Sequence, residues 1–250
     1  MSALEWPTCL PPLLAARFVG SFLGVLIIRL PEQRPWALAR SCCAACGTGL
    51  AARDLVPLAS FVLQRGRCRH CGDPIGWFHP AVELAAFGIA VWTVLAMVEP
   101  ADIWASCLLG WTLLALAWID ARSMTLPDLL TLPLLLAGLG ITWLREPDAV
   151  FWSAAGAAAG YLALRGVAVA YRALRGRDGM GAGEAKLLAA AGAWLGLTPL
   201  PWVVLLAAIC GLAMAGLLAA GGRQLRMTTA LPFGPCLAAA FWLLWLYGPP

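Results

Sequence analysis

Lysine is nearly missing from these 250 residues: Lys186 is the single one, and the other sixteen of the seventeen basic residues are arginine. Charge of either sign is scarce, at 12% of the chain, where a soluble domain carries about 25%. The net charge is only +4 and unevenly spread, so it makes no independent case for nucleic-acid binding. No basic residue stands among the first ten, which hold Glu5 instead. The positive region of a secretory signal is thus lacking, and the first apolar segment is expected to be a retained anchor.

What fills the chain is apolar. The apolar fraction is 62%, against about 45–50% in a soluble domain, and the excess has to face lipid. Thirteen Trp agree, because Trp favours membrane interfaces. Runs of about 17–25 apolar residues can cross a bilayer as helices. They are expected near 11–29, 79–98, 103–119, 128–144, 150–170, 184–197, 200–220 and 231–247. The sixth is short and starts with charges. The fold class is an all-α polytopic membrane protein of about eight transmembrane helices with a small cytoplasmic loop. It divides into an N-terminal helix (1–29), a four-cysteine loop (30–78) and a multi-span region (79–250). Gly156 and Gly160, four residues apart, are expected to let two helices approach closely.

The arginines set orientation. With the N-terminus outside the cytoplasm, loop 30–78 is inside with Arg34, Arg40, Arg53, Arg65, Arg67 and Arg69. Arg122, then Arg172, Arg175, Arg177 and Lys186, then Arg223 and Arg226 are also inside. The outer connections hold Arg145 beside Glu146 and Asp148, plus Glu99 and Asp102. That alternation follows the positive-inside rule. The basic loop is expected to meet anionic lipid headgroups.

Loop 30–78 is too small for a core of its own and calls for a staple. Cys43-Ala44-Ala45-Cys46 and Cys68-Arg69-His70-Cys71 form C-x2-C-x21-C-x2-C, each pair followed by glycine, Gly47 and Gly72. Glycine there permits the tight turn that points both thiolates at one ion, and four thiolates suit tetrahedral zinc in a closed structural site. Disulfides are the alternative, disfavoured in a reducing compartment. Cys42 is spare, and Cys9, Cys107, Cys210 and Cys236 lie in or near apolar segments.

Carboxylates at membrane depth suggest function. Asp120 ends the third span, Asp128 opens the fourth after Pro127, and Glu184 opens the sixth behind Gly179, Gly181 and Gly183. Blander readings stand beside them: Asp128 as a helix cap, Asp120 paired with Arg122, Glu184 paired with Lys186 or serving as a helix-start charge. Two carboxylates brought together from different helices can share one proton and activate water against a peptide bond. Gly181 and Gly183 would then let an extended substrate approach, with Lys186 and Asp128 nearby.

At this point the chain resembles the type IV prepilin peptidases, or leader peptidase/N-methyltransferases. Phe18-Val19-Gly20-Ser21-Phe22-Leu23-Gly24 through Pro31 looks like the family's first motif, with Gly24 where the family usually has Asn. The two Cys pairs follow, then Asp120 through Leu126-Pro127-Asp128 to Pro133, the run from Gly179 to Gly196, and Leu231-Pro232-Phe233-Gly234-Pro235. The resemblance implies a bacterial inner-membrane aspartic protease. It would cut a short basic leader from type IV prepilins or type II secretion pseudopilins. It would then methylate the new N-terminus with S-adenosylmethionine. Asp120 falls on the first catalytic aspartate; at the second, this chain has Glu184. Two other readings are a silent relative that binds pilin-like precursors, prompted by Glu184, and a small transporter with a zinc-stapled loop.

Overall fold

In the computed structural model the described residues are 6–36, 41–176, 181–222 and 231–249. Glu5, Arg40, Arg177, Gly179, Arg223 and Arg226, named above, fall outside them. No strand forms among the described residues. The eight apolar segments are all helices: α1 Trp6–Arg29, α3 Phe78–Ala96, α4 Pro100–Ser123, α5 Asp128–Arg145, α6 Val150–Arg175, α7 Ala182–Leu195, α8 Leu200–Ala220 and α9 Gly234–Tyr247. A five-residue helix, α2 (Ala59–Leu63), lies in the cysteine loop.

Six of these are long and apolar enough to cross a membrane: Cys9–Arg29, Phe78–Ala96, Pro100–Ser123, Asp128–Arg145, Pro147–Arg175 and Leu200–Ala220. The other two, α7 and α9, have 14 residues each. At about 1.5 Å per residue each is roughly 21 Å long, short of the roughly 30 Å hydrocarbon core. Their stability comes from protein instead of lipid. In α7, Ala185 and every residue from Leu187 to Trp194 are buried, and in α9 eight of the fourteen are.

The chain divides into two compact units, Met1–Trp111 and Thr112–Pro250. In the first, α1 packs on α3. Gly20 makes this possible, because a Cβ there would stand 2.8 Å from the Glu83 Cα. Gly24 faces His79, whose Nδ1 would be 2.6 Å from an added Cβ. The ring of His79 thus takes the room that an Asn at position 24 would need, which gives the glycine a physical reason. Glu83 is an acid within an apolar run that the sequence reading passed over. It is 7% exposed and accepts the Leu58 N–H at 2.8 Å, with Ser21 also bonded to it. It anchors the cysteine loop, at a residue with φ +58°, to the first two long helices.

In the second unit α7 is central, packed by α5, α6, α8 and α9. The expected small-residue contact is there. A Cβ on Gly160 would lie 2.7 Å from the Leu188 carbonyl oxygen, and one on Gly192 would land on the Gly156 carbonyl. Trp194 closes the other side, donating from Nε1 to the Leu134 carbonyl at 2.8 Å above Gly138.

Candidate active site and metal centre

Asp120 sits in the last turn of α4, 4% exposed. Its Oδ2 accepts the backbone N–H of Gly234 at 2.9 Å. Gly234 is the first residue of α9, so the carboxylate faces the positive end of a helix. A Cβ on Gly234 would meet Asp120 Oδ2 at 2.6 Å and Cγ at 2.8 Å, so only glycine allows this approach.

Glu184 is the third residue of α7. Its Oε2 accepts the Gly181 N–H at 2.7 Å, the reach-back half of a capping box. The added methylene of Glu lets the carboxyl fold onto the helix start. Asp120 is near enough for its charge to be felt at Glu184, so two acids some 60 residues apart in the chain lie near each other in one unit. Gly181 is exposed, whereas Gly183 packs on Leu126, whose Cβ would be 2.7 Å from an added Cβ.

Lys186 Nζ contacts Asp128 Oδ1 at 2.5 Å, bridging the first turns of α5 and α7. The Glu184–Lys186 pair and the Asp128 cap give way here, while Glu184 does serve as a helix-start charge. Lys186 is engaged with Asp128, and the α5 N-cap is Pro127 with no side-chain bond, Asp128 being the first helical residue. The physical reason is reach: Lys186 meets α5 across the helix contact.

In the loop of the first unit, the Sγ atoms of Cys43, Cys46, Cys68 and Cys71 all lie within 4.8 Å of one another. Cys43 and Cys71 are 3.9 Å apart. Tetrahedral thiolates around zinc stand about 3.8 Å apart, from a Zn–S bond of about 2.3 Å, so the set fits one ion. The two halves are built alike. Cys43 N–H donates to Thr48 O and Gly47 N–H to Cys43 O; Cys68 N–H donates to Asp73 O and Gly72 N–H to Cys68 O. Gly47 and Gly72 have φ of +69° and +75°, the left-handed turn expected of the glycine after each pair. Neither histidine joins the cluster, and Cys42 pairs by its backbone with Gly49.

The thiols are already uneven. The Thr48 hydroxyl and backbone amide lower Cys46 to about 6. The Cys71 and His70 backbone amides lower Cys68. Cys71 rises to about 12: the Asp73 amide pulls it down, but burial and the three neighbouring thiols outweigh that.

Sequence reasoning singled out Asp120, Glu184, Asp128, Lys186 and the four cysteines. It named Gly234 only within a motif, without its role. No local pattern signals a backbone amide bonded to an acid 114 residues away.

Taken together, the unit that carries the carboxylates defines a polytopic membrane protein with an acid pair held at helix starts. Residues 14–97 match the bacterial peptidase A24 N-terminal domain and residues 107–216 the type IV leader peptidase family. A prepilin leader peptidase/N-methyltransferase of Burkholderia pseudomallei is 39% identical, over 93% of this chain and 83% of the relative. One from Aeromonas hydrophila is also 39% identical, over 92% and 87%. A third, from Dichelobacter nodosus, is 35% identical, over 92% and 88%. The chain belongs to the type IV leader peptidase family. No solved structure matches it.

Proposed function

We propose that this chain is a membrane-embedded aspartic-type endopeptidase that removes the leader from type IV prepilins or pseudopilins and then methylates the new N-terminus. The observation that carries the peptidase reading is the nearness of Asp120 to Glu184 within one unit, each bonded to a backbone amide at a helix start. Residues 79–250 would hold this chemistry. The bacterial inner membrane would be the site of action, with the cysteine loop and the acid pair on the cytoplasmic side.

Two neighbouring carboxyls share one proton. The ionised one takes a proton from a water as the water oxygen attacks the scissile carbonyl carbon. The protonated one donates a hydrogen bond to the carbonyl oxygen, and proton transfer to the leaving amine completes cleavage. The exposed Gly181, beside Glu184, would let the substrate backbone approach. The Lys186–Asp128 bridge would hold the first turn of α7, and thus Glu184, in register with α5. Glu184 is held at the site by Gly181, which favours an active enzyme over a silent relative. Incubating purified protein with a prepilin and reading the product masses tests this: the leader should be lost. An intact precursor would sink the peptidase reading.

Gly234→Ala is expected to lower kcat on the order of 10²-fold, since displacing a catalytic group by about 1 Å can cost that much. Thermal stability should change far less. Equal kcat for the two proteins would mean that the Gly234 contact does not position Asp120.

The four thiolates would hold zinc, which when bound supplies a closed structural staple for the loop. Because Cys71 keeps its proton at neutral pH and Cys46 does not, zinc uptake at pH 7 should release protons. Titrating apo-protein with zinc in a weak buffer checks this, and Cys46→Ser with Cys71→Ser should abolish both uptake and release. S-adenosylmethionine is proposed as the methyl donor. A cavity of about 570 Å³ in the second unit does not fit that role. It lies at the C-terminal ends of α5 and α7, about 15–20 Å from the acid pair at 1.5 Å per residue along α7.

A further inference from the structure

That cavity opens between the C-terminal ends of α5, α7 and α9 and the N-terminal start of α6. Its volume is within the roughly 300–1,000 Å³ of ligand sites. Its walls include Arg145, Glu146, Trp152, Ser153, Trp194 and Trp245. The set is chemically two-sided. Arg145 supplies planar donors suited to a phosphate, next to the start of the 26-residue α6, whose dipole also favours an anion. Glu146 and the Trp152 indole face favour a cation, while the Trp245 face is taken by Arg145, 5.8 Å above the ring. Trp194 and Trp245 pack edge to face at 5.0 Å, giving a rigid wall.

The surroundings say where such a ligand comes from. Trp143, Leu144 and Phe151, neighbours in sequence of the lining residues Thr142, Arg145 and Trp152, are 62%, 82% and 71% exposed. Indole and apolar side chains at the ends of spanning helices mark the membrane–water boundary. A ligand with phosphate and ammonium groups close together, delivered at that level, is a zwitterionic phospholipid.

We propose that the cavity formed by Arg145, Glu146, Trp152 and Trp245 at the α5–α6 turn binds the headgroup of an amine-bearing phospholipid. Arg145, beside the α6 start, holds the phosphate, and Glu146 with the Trp152 ring holds the ammonium. The acyl chains run past Trp143 and Phe151. This site is separate from the acid pair and does not rest on the peptidase reading.

The test uses the full chain purified in mild detergent and exposed to equal phosphatidylethanolamine and phosphatidylglycerol, with retained lipid counted by native mass spectrometry. Preference for the ethanolamine lipid should be about tenfold, equivalent to about 1.4 kcal/mol. Glu146→Gln and Trp152→Ala should bring the ratio near one, and Arg145→Gln should reduce retention of both lipids. Unchanged circular dichroism and thermal midpoint without lipid identify variants that are folded. Equal retention of the two lipids by the native chain overturns the proposal. So does a preference that survives Glu146→Gln and Trp152→Ala. Free phosphoethanolamine, or S-adenosylmethionine, displacing the lipid at equal concentration would also overturn it, by showing a soluble ligand's site.

Discussion

Asp120→Asn and Glu184→Gln are each expected to lower prepilin cleavage by on the order of 10⁴-fold, the scale seen when a member of a catalytic unit is removed. The two effects should not add, because the pair acts together through one shared proton. Asp120 is 4% exposed and bonded to Gly234, so the amide substitution keeps volume and shape while removing the charge. The informative third variant is Glu184→Asp. It shortens the side chain by one methylene, and the carboxyl then has to reach both Gly181 and the substrate from a different distance. A change within about 10²-fold of native is expected. Kinetics of the four proteins on one prepilin decide the matter. If native protein and Glu184→Asp both cleave and the two amide variants do not, Glu184 is a working member of the pair. If only Glu184→Asp cleaves, the native chain is a silent relative and its role lies in binding or methyl transfer.

Gly192→Ala should give the largest loss of stability from a single added methyl. Its Cβ would land on the Gly156 carbonyl, which is helix backbone and cannot rotate aside. Helices α6 and α7 must separate, and overpacking of this kind costs about 1–3 kcal/mol. At about 2–4 °C per kcal/mol for a chain of this size, the thermal midpoint should fall by several degrees. Cleavage should fall with it, since α7 carries Glu184. Gly166→Ala is the control: it lies on the same α6, exposed, with nothing within 4 Å of an added Cβ. Alanine is the better helix former by about 1 kcal/mol, so that variant should hold or gain stability. Equal midpoints for the two variants would show that the α6–α7 contact is looser than the glycines suggest.

Much of the fold could be read along the chain. Hydropathy located all eight apolar helices because each apolar run is a local property. The two short ones, α7 and α9, are packed among neighbouring helices. Their burial depends on neighbours, and a run of 14 apolar residues looks alike whether lipid or protein surrounds it. The cysteine knuckles were legible for the opposite reason. Each is a six-residue unit whose glycine, turn and thiols are contiguous, and a four-thiolate set has few alternatives.

The sequence by itself determined the membrane character, the helix order and the cysteine cluster, and it singled out the two candidate acids. Only the tertiary structure decided how those acids are held. The Gly234 amide reaches Asp120 across 114 residues, and Lys186 reaches Asp128 across 58. Glu83 gained its role from Leu58, which belongs to a different element. Periodicity reports which face of a helix is apolar, but it carries no information about which helix that face will meet. The partner of a buried acid is fixed by the one packing in which its desolvation is offset by a donor.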